Sequence, residues 1–250
     1  MHKFSTLIMA AGKGTRMKSD LAKVLHQINN RPMVHYVIDQ ARAVGSEKVV
    51  LIIGHQKEEV QKACRDLDVQ FVIQEPQLGT GHAIMMAEQF LKSYRGDVLV
   101  LSGDVPLLSV ATIRDLVTTH QQSKAVATLL TSELDDPTGY GRVIRDPDGR
   151  VVKIIEQKDA SPEELRVKEI NVGIYMFKPQ ELVMTLKDIS NNNAQGEYYL
   201  PDVVKLYVQR GEKVVAKLAA NFDETRGINT NQQLKEAETI LKHRSIIKKS

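Results

Sequence analysis

The chain has 250 residues, a formal net charge of +3 at pH 7, and ordinary hydrophobic and charged fractions of 42% and 26%, so we expect a soluble globular protein with a sizeable core. The small net charge argues against a nucleic-acid or membrane surface, no apolar stretch approaches the ~20 residues that span a bilayer, and no signal peptide is recognisable. The single cysteine, Cys64, excludes an intrachain disulfide and fits a reducing compartment, so we expect a cytoplasmic location.

Strands and helices alternate along residues 1–131. Apolar, β-branched runs predict the strands TLIMA, KVVLIIG, QFVIQ, DVLVLSGD and AVATLLT. Apolar residues at helical spacing predict the helices RPMVHYVIDQARAVG, EEVQKACRDL, TGHAIMMAEQFLKS and SVATIRDLVTTH, the last capped by Ser109. This alternation predicts a mostly parallel sheet with helices on both faces.

From residue 132 the pattern becomes more antiparallel. GYGRVIRDPDGRVVKIIEQK contains two alternating runs around Asp-Pro-Asp-Gly, which predicts a β-hairpin. Strands are predicted at INVGIYMF and KVVAKLA, and helices at PQELVMTLKDI, LPDVVKLYVQRG and TNQQLKEAETILKHR. Thr230 and Gln233 have the spacing of a capping box for the last helix, and NNNAQGEYY is predicted to be a loop. One continuous α/β domain accounts for all of these elements.

A glycine loop with clustered cations follows the first predicted strand. Gly12 and Gly14 would let backbone N–H groups approach an anion, while Arg16 and Lys23 would add positive charge. The spacing matches neither a Walker A loop nor a dinucleotide-binding fingerprint, in which Met17 would have to be glycine. The loop nevertheless lies where open α/β sheets bind ligands. It indicates a phosphate site, with an ordinary strand-to-helix turn and solvated cations as the alternative.

Asp104 follows the apolar strand in VLVLSGDVPLL. A carboxylate there projects from the same sheet edge as the glycine loop. Carboxylates suit Mg²⁺, which binds through one or two side chains together with substrate phosphates. The alternative is a turn in which Asp104 bonds its own backbone, and the neighbouring phosphate loop favours the metal.

Several motifs together resemble one enzyme family. MAAGKGTRMKSDLAKVL is similar to the signature of the sugar nucleotidyltransferases, and the whole chain resembles the uridylyltransferase domain of the bacterial bifunctional uridylyltransferase/acetyltransferases. Matching stretches follow in the family's order: IQEPQLGTGHA, SGDVPLL, DDPTGYGRVIR, IIEQKDA, EINVGIYMF, NNNAQGEYYLPD and GINTNQQL. The resemblance implies an α/β, Rossmann-like, mixed and mostly parallel sheet flanked by helices, the nucleotide-diphospho-sugar transferase fold.

The resemblance also implies an activity. This is the Mg²⁺-dependent transfer of uridylyl from UTP to N-acetyl-α-D-glucosamine 1-phosphate, giving UDP-N-acetylglucosamine and pyrophosphate. Residues 1–131 would form a nucleotide-binding part, 132–229 a sugar-binding part and 230–250 a C-terminal helix and tail. Two alternatives stay open: a related nucleotidyltransferase with another sugar or base, and a non-catalytic nucleotide-sugar-binding module. Retained metal ligands argue against the second.

Individual roles are implied by the same resemblance. Arg16, Lys23 and Asp104 would be catalytic, and Asp104 and Asn229 would hold Mg²⁺. The substrates would contact Met9, Ala10, Ala11, Gly12, Lys23, Gln74, Gly79, Thr80, Ser102, Gly103, Asp104, Gly141, Glu156, Asn171 and Asn229.

Within that set, two groups would have separate tasks. Gln74, Gly79 and Thr80 would recognise uracil, whose donor and acceptor edge an amide side chain can match. Gly141, Glu156 and Asn171 would bind the sugar. The plainer alternatives are that Asn229 serves turn geometry before the Thr230 cap and that Glu156 is a solvated strand end.

The chain departs from the family pattern in a few places. Ala22 stands where proline is usual, Met9 where leucine is common, and Ser102 where tyrosine often precedes the glycine. No hexapeptide repeat of a left-handed β-helix occurs, so we expect no acetyltransferase activity, whether the sequence is a shortened chain or a stand-alone enzyme.

A monomer is expected for the same reason, because the family trimer depends largely on the β-helix. The last helix has apolar residues on one face that can pack back on the domain, namely Leu234, Ala237, Ile240 and Leu241. The rival expectation is an oligomer contact through Ile246 and Ile247.

Overall fold

A computed structural model describes the backbone of residues 3–247 and the side chains of residues 3–244. The strands are β1 Phe4–Ala10, β2 Gln27–Ile28, β3 Arg31–Pro32, β4 Val49–Ile53, β5 Gln70–Ile73, β6 Asp97–Ser102, β7 Ala127–Glu133, β8 Arg142–Arg145, β9 Val151–Ile155, β10 Glu169–Phe177 and β11 Val214–Leu218. The helices are α1 Met33–Ala43, α2 Lys57–Cys64, α3 Thr80–Met86, α4 Glu88–Ser93, α5 Val110–Ser123, α6 Pro179–Leu186, α7 Asp202–Gln209, α8 Phe222–Thr225 and α9 Asn231–Ile247. Three short 3₁₀ turns lie at Thr15–Met17, Lys23–Leu25 and Glu164–Arg166.

The main sheet is mixed but mostly parallel, as predicted. Its order is β11-β7-β10-β6-β1-β4-β5, and within the described residues only β10 runs antiparallel to its neighbours in that row. The predicted hairpin is confirmed, because β8 and β9 pair antiparallel and β8 also pairs with β10. The parallel strands bring their carboxyl ends to one edge, which is where the predicted loops lie.

Two apolar cores lie on the two faces of this sheet. Successive side chains of a strand point to opposite faces, so in β1 Ile8 packs towards α1, α2 and α5 while Leu7 packs towards α3, α4, α6 and α7. Strands buried on both faces explain the continuous apolar runs of the sequence. Cys64 lies in the first of these cores, and burial raises the pKa of its thiol to about 11, which fits the predicted structural role.

The helix predicted over TGHAIMMAEQFLKS is divided into α3 and α4. Ala87, between them, has a ψ of 12°, and its N–H donates to the carbonyl of Ile84 over 3.0 Å, which closes a tight turn. The apolar pattern continues across the break because both halves face the same core, through Ile84 and Leu91. Periodicity alone therefore does not reveal the interruption.

Helix α9 packs back on the domain through a third apolar cluster. Ala237 is buried there with Ile28, Met33, Leu107 and Ile228. Leu234, Ile240 and Leu241 pack against the same cluster, as the sequence predicted. The side chains of Ile246 and Ile247 lie outside the described set. Across residues 3–247 the structure contains no helix that is both long and apolar enough to cross a membrane.

Candidate active site

A cleft of about 710 Å³ opens at the carboxyl edge of the sheet. The ends of β1 and β6, the glycine loop and the segment after β5 line it, and this arrangement agrees with the usual ligand position in open α/β folds. The predicted residues in its lining are Met9, Ala10, Ala11, Gly12, Arg16, Lys23, Gln74, Gly79, Thr80, Ser102, Asp104 and Asn229.

The glycine loop is shaped around Lys23. Gly14 has a φ of +67°, and a Cβ atom there would lie 2.6 Å from the Cβ of Lys23, so a side chain at this position is excluded by both conformation and space. Met17 is buried and anchors the far end of the loop. The N–H of Ala22, the residue at which the resemblance led us to expect proline, donates to Gln56 Oε1 over 2.7 Å and holds the segment before Lys23 in place.

Two cations and two oxygens meet at the centre of the cleft. The Lys23 ammonium donates to Asp104 Oδ2 and, over 2.6 Å, to Asn229 Oδ1. Arg16 Nη2 donates to the same Asn229 oxygen over 2.7 Å. The Lys23 and Asp104 side chains are only 13% and 23% exposed, so their attraction is less screened than that of a surface pair.

The same two oxygens fit a metal ion. Asp104 Oδ2 and Asn229 Oδ1 both accept from the Lys23 ammonium, so a metal cation in the place of that ammonium could bind the same two oxygens. In the described part of the chain no three His, Cys, Asp or Glu side chains group around a possible metal. A metal held here would therefore complete its coordination with substrate oxygens or water, as Mg²⁺ commonly does.

The cap of α9 holds Asn229. Gln233 Oε1 accepts from the backbone N–H of Asn229 over 2.7 Å and from that of Thr230 over 3.1 Å, while Gln233 N–H donates to Thr230 Oγ1 over 3.2 Å. This confirms the predicted capping box. Asn229 therefore serves both the turn and the cleft. Its backbone N–H belongs to the cap, and its side chain accepts from Lys23.

The segment 78–81 is fixed by a second loop far along the chain. Gly81 N–H donates to the Tyr198 carbonyl over 2.7 Å, and Tyr198 N–H donates to the Leu78 carbonyl over 2.8 Å. Gly79 has a φ of +104°, and a Cβ atom added to it would lie only 2.6 Å from the carbonyl oxygen of Tyr198. The stretches LGTGHA and NNNAQGEYY therefore form one structural unit, and Thr80 Oγ1 completes it by accepting from Leu200 N–H over 3.0 Å.

Gln74 lies at the wall of the cleft and is only 3% exposed. Its Nε2 donates to the Gly79 carbonyl over 2.9 Å and approaches His82 Nδ1 at 3.2 Å. Because both contacts use the amide nitrogen, the atom that Gln74 can offer a ligand is the acceptor Oε1.

The three residues predicted to bind sugar form a neighbouring group outside the lining of the main cleft. Asn171 N–H donates to the Gly141 carbonyl over 2.9 Å, and a Cβ at Gly141 would lie 3.2 Å from Glu156 Oε1. Glu156 is partly buried rather than a solvated strand end; burial, followed by the nearby carboxylates led by Asp202, raises the pKa of its carboxyl group. It lines a second cavity, of about 310 Å³.

A bulge in β10 brings this group beside the main cleft. The register of β10 shifts between Asn171 and Tyr175, and Gly173 in the bulge lies against β6, where a Cβ would be 3.5 Å from Ser102 Oγ. Such irregularities often lie next to active sites because they redirect side chains. Ser102 is itself the register partner of Met9, so two departures from the family pattern lie side by side.

The structure also qualifies the predicted list. Gly103 lies behind the cleft lining, where its N–H donates to the Met9 carbonyl over 2.9 Å. Gln77 and Glu197 line the cleft but were not predicted. Gln77 stands in a polar loop without a distinctive spacing, and Glu197 reaches the cleft only because its loop docks on segment 78–81. The one available signal for Glu197 was its place within NNNAQGEYY.

Comparisons with known proteins agree with this fold and site. The family model described as nucleotidyl transferase matches residues 5–223. The bifunctional protein GlmU of Clostridium novyi (strain NT) is 50% identical over 240 residues, which are 96% of this chain and 52% of that protein. The bifunctional protein GlmU of Streptococcus mutans serotype c is 49% identical over 238 residues, 95% of this chain and 52% of that protein. The chain thus spans about half the length of the curated relatives it matches.

A solved structure of UDP-glucose pyrophosphorylase with UDP-glucose has a TM-score of 0.74 at 18% identity, covering 98% of this chain and 100% of that one. This confirms the predicted fold class. With the match over most of its length, the chain belongs to the nucleotidyl transferase family.

Proposed function

We propose that the chain transfers uridylyl from UTP to N-acetyl-α-D-glucosamine 1-phosphate, giving UDP-N-acetylglucosamine and pyrophosphate. The observation that carries the proposal is the convergence of Lys23, Asp104 and Asn229 between the glycine loop and the Gln74–Thr80 segment. It is supported by the extensive identity to proteins named GlmU. The proposed division into nucleotide-binding, sugar-binding and C-terminal parts follows the same resemblance, and a cytoplasmic location stays a prediction.

The proposed reaction is an in-line displacement at phosphorus. A phosphate oxygen of the sugar phosphate forms a bond to the α-phosphorus of UTP while the α–β P–O bond breaks, and pyrophosphate leaves with that electron pair. The attacking phosphate is largely dianionic at neutral pH, so no general base is required. The protein's task is to bring two anions together and to offset their charge.

Lys23 and Arg16 are placed to perform this task. Lys23 would turn from Asp104 and Asn229 towards the phosphates, and Arg16 would contact the departing pyrophosphate with its planar fork. Asp104 and Asn229 would hold Mg²⁺, which when bound would supply further neutralisation of phosphate charge. Gly141, Glu156 and Asn171 would bind the sugar, whose hydroxyl groups suit a carboxylate and an amide.

A panel assay tests the proposal directly. Pyrophosphate release would be measured with UTP, CTP, ATP, GTP and dTTP, each combined with the 1-phosphates of N-acetylglucosamine, glucosamine and glucose, with and without Mg²⁺. We expect the highest rate for UTP with N-acetylglucosamine 1-phosphate and none without a divalent metal. A higher rate for another pair would reassign the substrate, and no release with any pair would favour a binding module.

UTP should exceed CTP by at least roughly 10-fold in kcat/KM, since each buried polar group left unpaired costs about 1–3 kcal/mol. Uracil presents an N3–H donor to Gln74 Oε1, whereas cytosine presents an acceptor at the same position. The measurement is steady-state kinetics with both nucleotides, with the purine nucleotides as size controls. Equal turnover of CTP and UTP would show that the base pocket is wrongly assigned.

These 250 residues should be monomeric and should not transfer acetyl groups. The apolar face of α9 is covered by its own domain through Ala237 and Leu234, which removes the main reason for assembly. Size exclusion with light scattering at several concentrations should give the monomer mass of 28.0 kDa. A stable trimer at low micromolar concentration would contradict the expected monomer.

The acetyl-transfer expectation is tested separately, by incubating the pure protein with acetyl-CoA and glucosamine 1-phosphate. Formation of the acetylated sugar phosphate would contradict it.

A further inference from the structure

Gln56 adopts a backbone conformation that is unfavourable for its residue type. It lies between β4 and α2 with a φ of +51° and a ψ of 44°, in the left-handed region that glycine reaches without steric cost and that other residues rarely enter. The main chain holds this turn, since the His55 N–H donates to the Ala11 carbonyl over 3.1 Å and the Gln56 carbonyl accepts from the Val60 N–H over 3.1 Å. Glycine would suit the turn at least as well, which indicates that the side chain of Gln56 has a role of its own.

That side chain contacts the main chain just before Lys23. Its Oε1 accepts from the Ala22 N–H over 2.7 Å. A backbone N–H can only donate, so the amide oxygen and not the amide nitrogen must face Ala22. The Ala22 carbonyl in turn accepts from the Leu25 N–H over 2.9 Å, which closes the 3₁₀ turn Lys23–Leu25.

The bond to Gln56 follows an exposed stretch of the glycine loop. Residues 18–21 are all exposed, and the Leu21 N–H donates to Ser19 Oγ over 3.1 Å within that stretch. The chain becomes buried again at Ala22, one residue before Lys23. Gln56 does not line the cleft, so it can act on a bound phosphate only through the residues that it holds.

We infer that Gln56 is a positioning residue that sets the direction from which Lys23 reaches the substrate phosphates. This inference rests on the proposed function and adds to it the residue that holds the lysine. The stem of Lys23 is already confined on another side by Gly14, where no side chain fits. Release of the Ala22 N–H would let the start of the turn move, and a charged group displaced within a preorganised site contributes less to the rate.

Position 22 offers a way to restore the restraint without Gln56. The φ of Ala22 is −52°, which lies within the range to which a proline ring fixes this angle, and proline has no N–H to leave unpaired. The ring would need the space that Gln56 Oε1 now takes, so Ala22→Pro is combined with Gln56→Ala. The ring would then restrain the backbone before Lys23 in place of the hydrogen bond.

A set of variants assayed by pyrophosphate release tests the inference. Gln56→Ala should lower kcat/KM with UTP and N-acetylglucosamine 1-phosphate by roughly 3- to 10-fold, the usual effect of losing one hydrogen bond. The double variant Ala22→Pro/Gln56→Ala should recover to within about 2-fold of the parent. In Lys23→Met, the substitution Gln56→Ala should cause a further change of less than about 2-fold, because the ammonium through which Gln56 acts is absent.

Gln56→Gly separates positioning from stability. Glycine relieves the left-handed backbone and removes the same acceptor, so this variant should unfold at a temperature no lower than Gln56→Ala and still show the same loss of rate. A control with the same type of bond is Asp146→Ala, which removes the Oδ1 acceptor of the Arg150 N–H at 2.8 Å. Asp146 does not line the cleft, and the kcat/KM of this control should equal that of the parent.

Hydrogen exchange of the Ala22 amide, followed by NMR, gives a readout without substrate. Exchange should be roughly 3- to 10-fold faster in Gln56→Ala than in the parent. Equal exchange in the two proteins, parental turnover of Gln56→Ala, or an equal loss in the Lys23→Met background would each overturn the role of Gln56.

Failure of the proposed function can be told apart from failure of this inference. If the substrate panel favours another pair, the substrate is reassigned and the variants are compared with that pair. If no pair reacts, the proposed function is wrong, and the exchange rates together with equilibrium titration of UTP decide the role of Gln56. If proline at position 22 prevents folding, the comparison in the Lys23→Met background decides.

Discussion

Replacing Asp104 with asparagine should lower the rate of pyrophosphate release by roughly 100-fold or more, which corresponds to a loss of about 3 kcal/mol or more in transition-state stabilisation. The substitution keeps the size of the side chain and removes the negative charge that would hold the metal. Mg²⁺ has a strong preference for charged oxygen ligands, and Asn229 alone offers none. Saturating Mg²⁺ should not restore the parent rate.

The matched control for this variant lies at the other end of the strand that Asp104 follows. Asp97 begins β6, at the end opposite to Asp104, so Asp97→Asn makes the same chemical change away from the cleft. Its turnover should stay near that of the parent. Thermal unfolding should show that Asp104→Asn is folded, and titration of Mn²⁺ in the presence of UTP should show weaker binding. Near-parental turnover of Asp104→Asn would reject Asp104 as the metal ligand.

Replacing Lys23 with methionine should lower kcat/KM by roughly 100-fold, comparable to the effect of removing one electrostatic contact from a preorganised site. Methionine keeps much of the stem that packs on Gly14 and removes the ammonium. Without it, the two anionic substrates meet with less compensation of charge. Arginine should restore only part of the rate, because its planar guanidinium is bulkier and does not act as a point charge.

Lys18 provides the control for Lys23. It belongs to the same loop and is exposed, but it does not line the cleft. Lys18→Met should therefore have near-parental kinetics. The two lysine variants would be compared with UTP and N-acetylglucosamine 1-phosphate over a range of salt concentrations. Equal effects of both substitutions would indicate a general attraction of anions by the loop, and the specific role of Lys23 would then be wrong.

Local chemistry made much of the fold predictable. Apolar runs identified the strands, Ser109 marked the start of α5, and Asp-Pro-Asp-Gly marked the β8–β9 turn. The Thr230–Gln233 box was predictable for the same reason, since all of its partners lie within one helical turn. Signals of this kind depend only on neighbouring residues, so they can be recognised without knowing how the rest of the chain folds.

The break between α3 and α4 at Ala87 and the order of the strands in the sheet could not be predicted from the sequence. Many apolar strands can pair with one another, and nothing in INVGIYMF specifies that it lies antiparallel between β6 and β7. That position decides where the bulge at Gly173 meets Ser102. It therefore also decides where the predicted sugar-binding residues stand relative to the main cleft.

By itself the sequence determined which residues carry the candidate chemistry: a glycine loop with its cations, a carboxylate after a buried strand, and an asparagine before a helix cap. Only the tertiary structure decided that Lys23 lies between Asp104 and Asn229, which are 81 and 206 residues away along the chain. The same holds for the contact of Gly79 with Tyr198 and of Gln74 with His82. Residue type limits which groups can form hydrogen bonds. The distances and directions between those groups are set by the packing of two cores on the two faces of one sheet, because close packing leaves few alternative positions for each side chain.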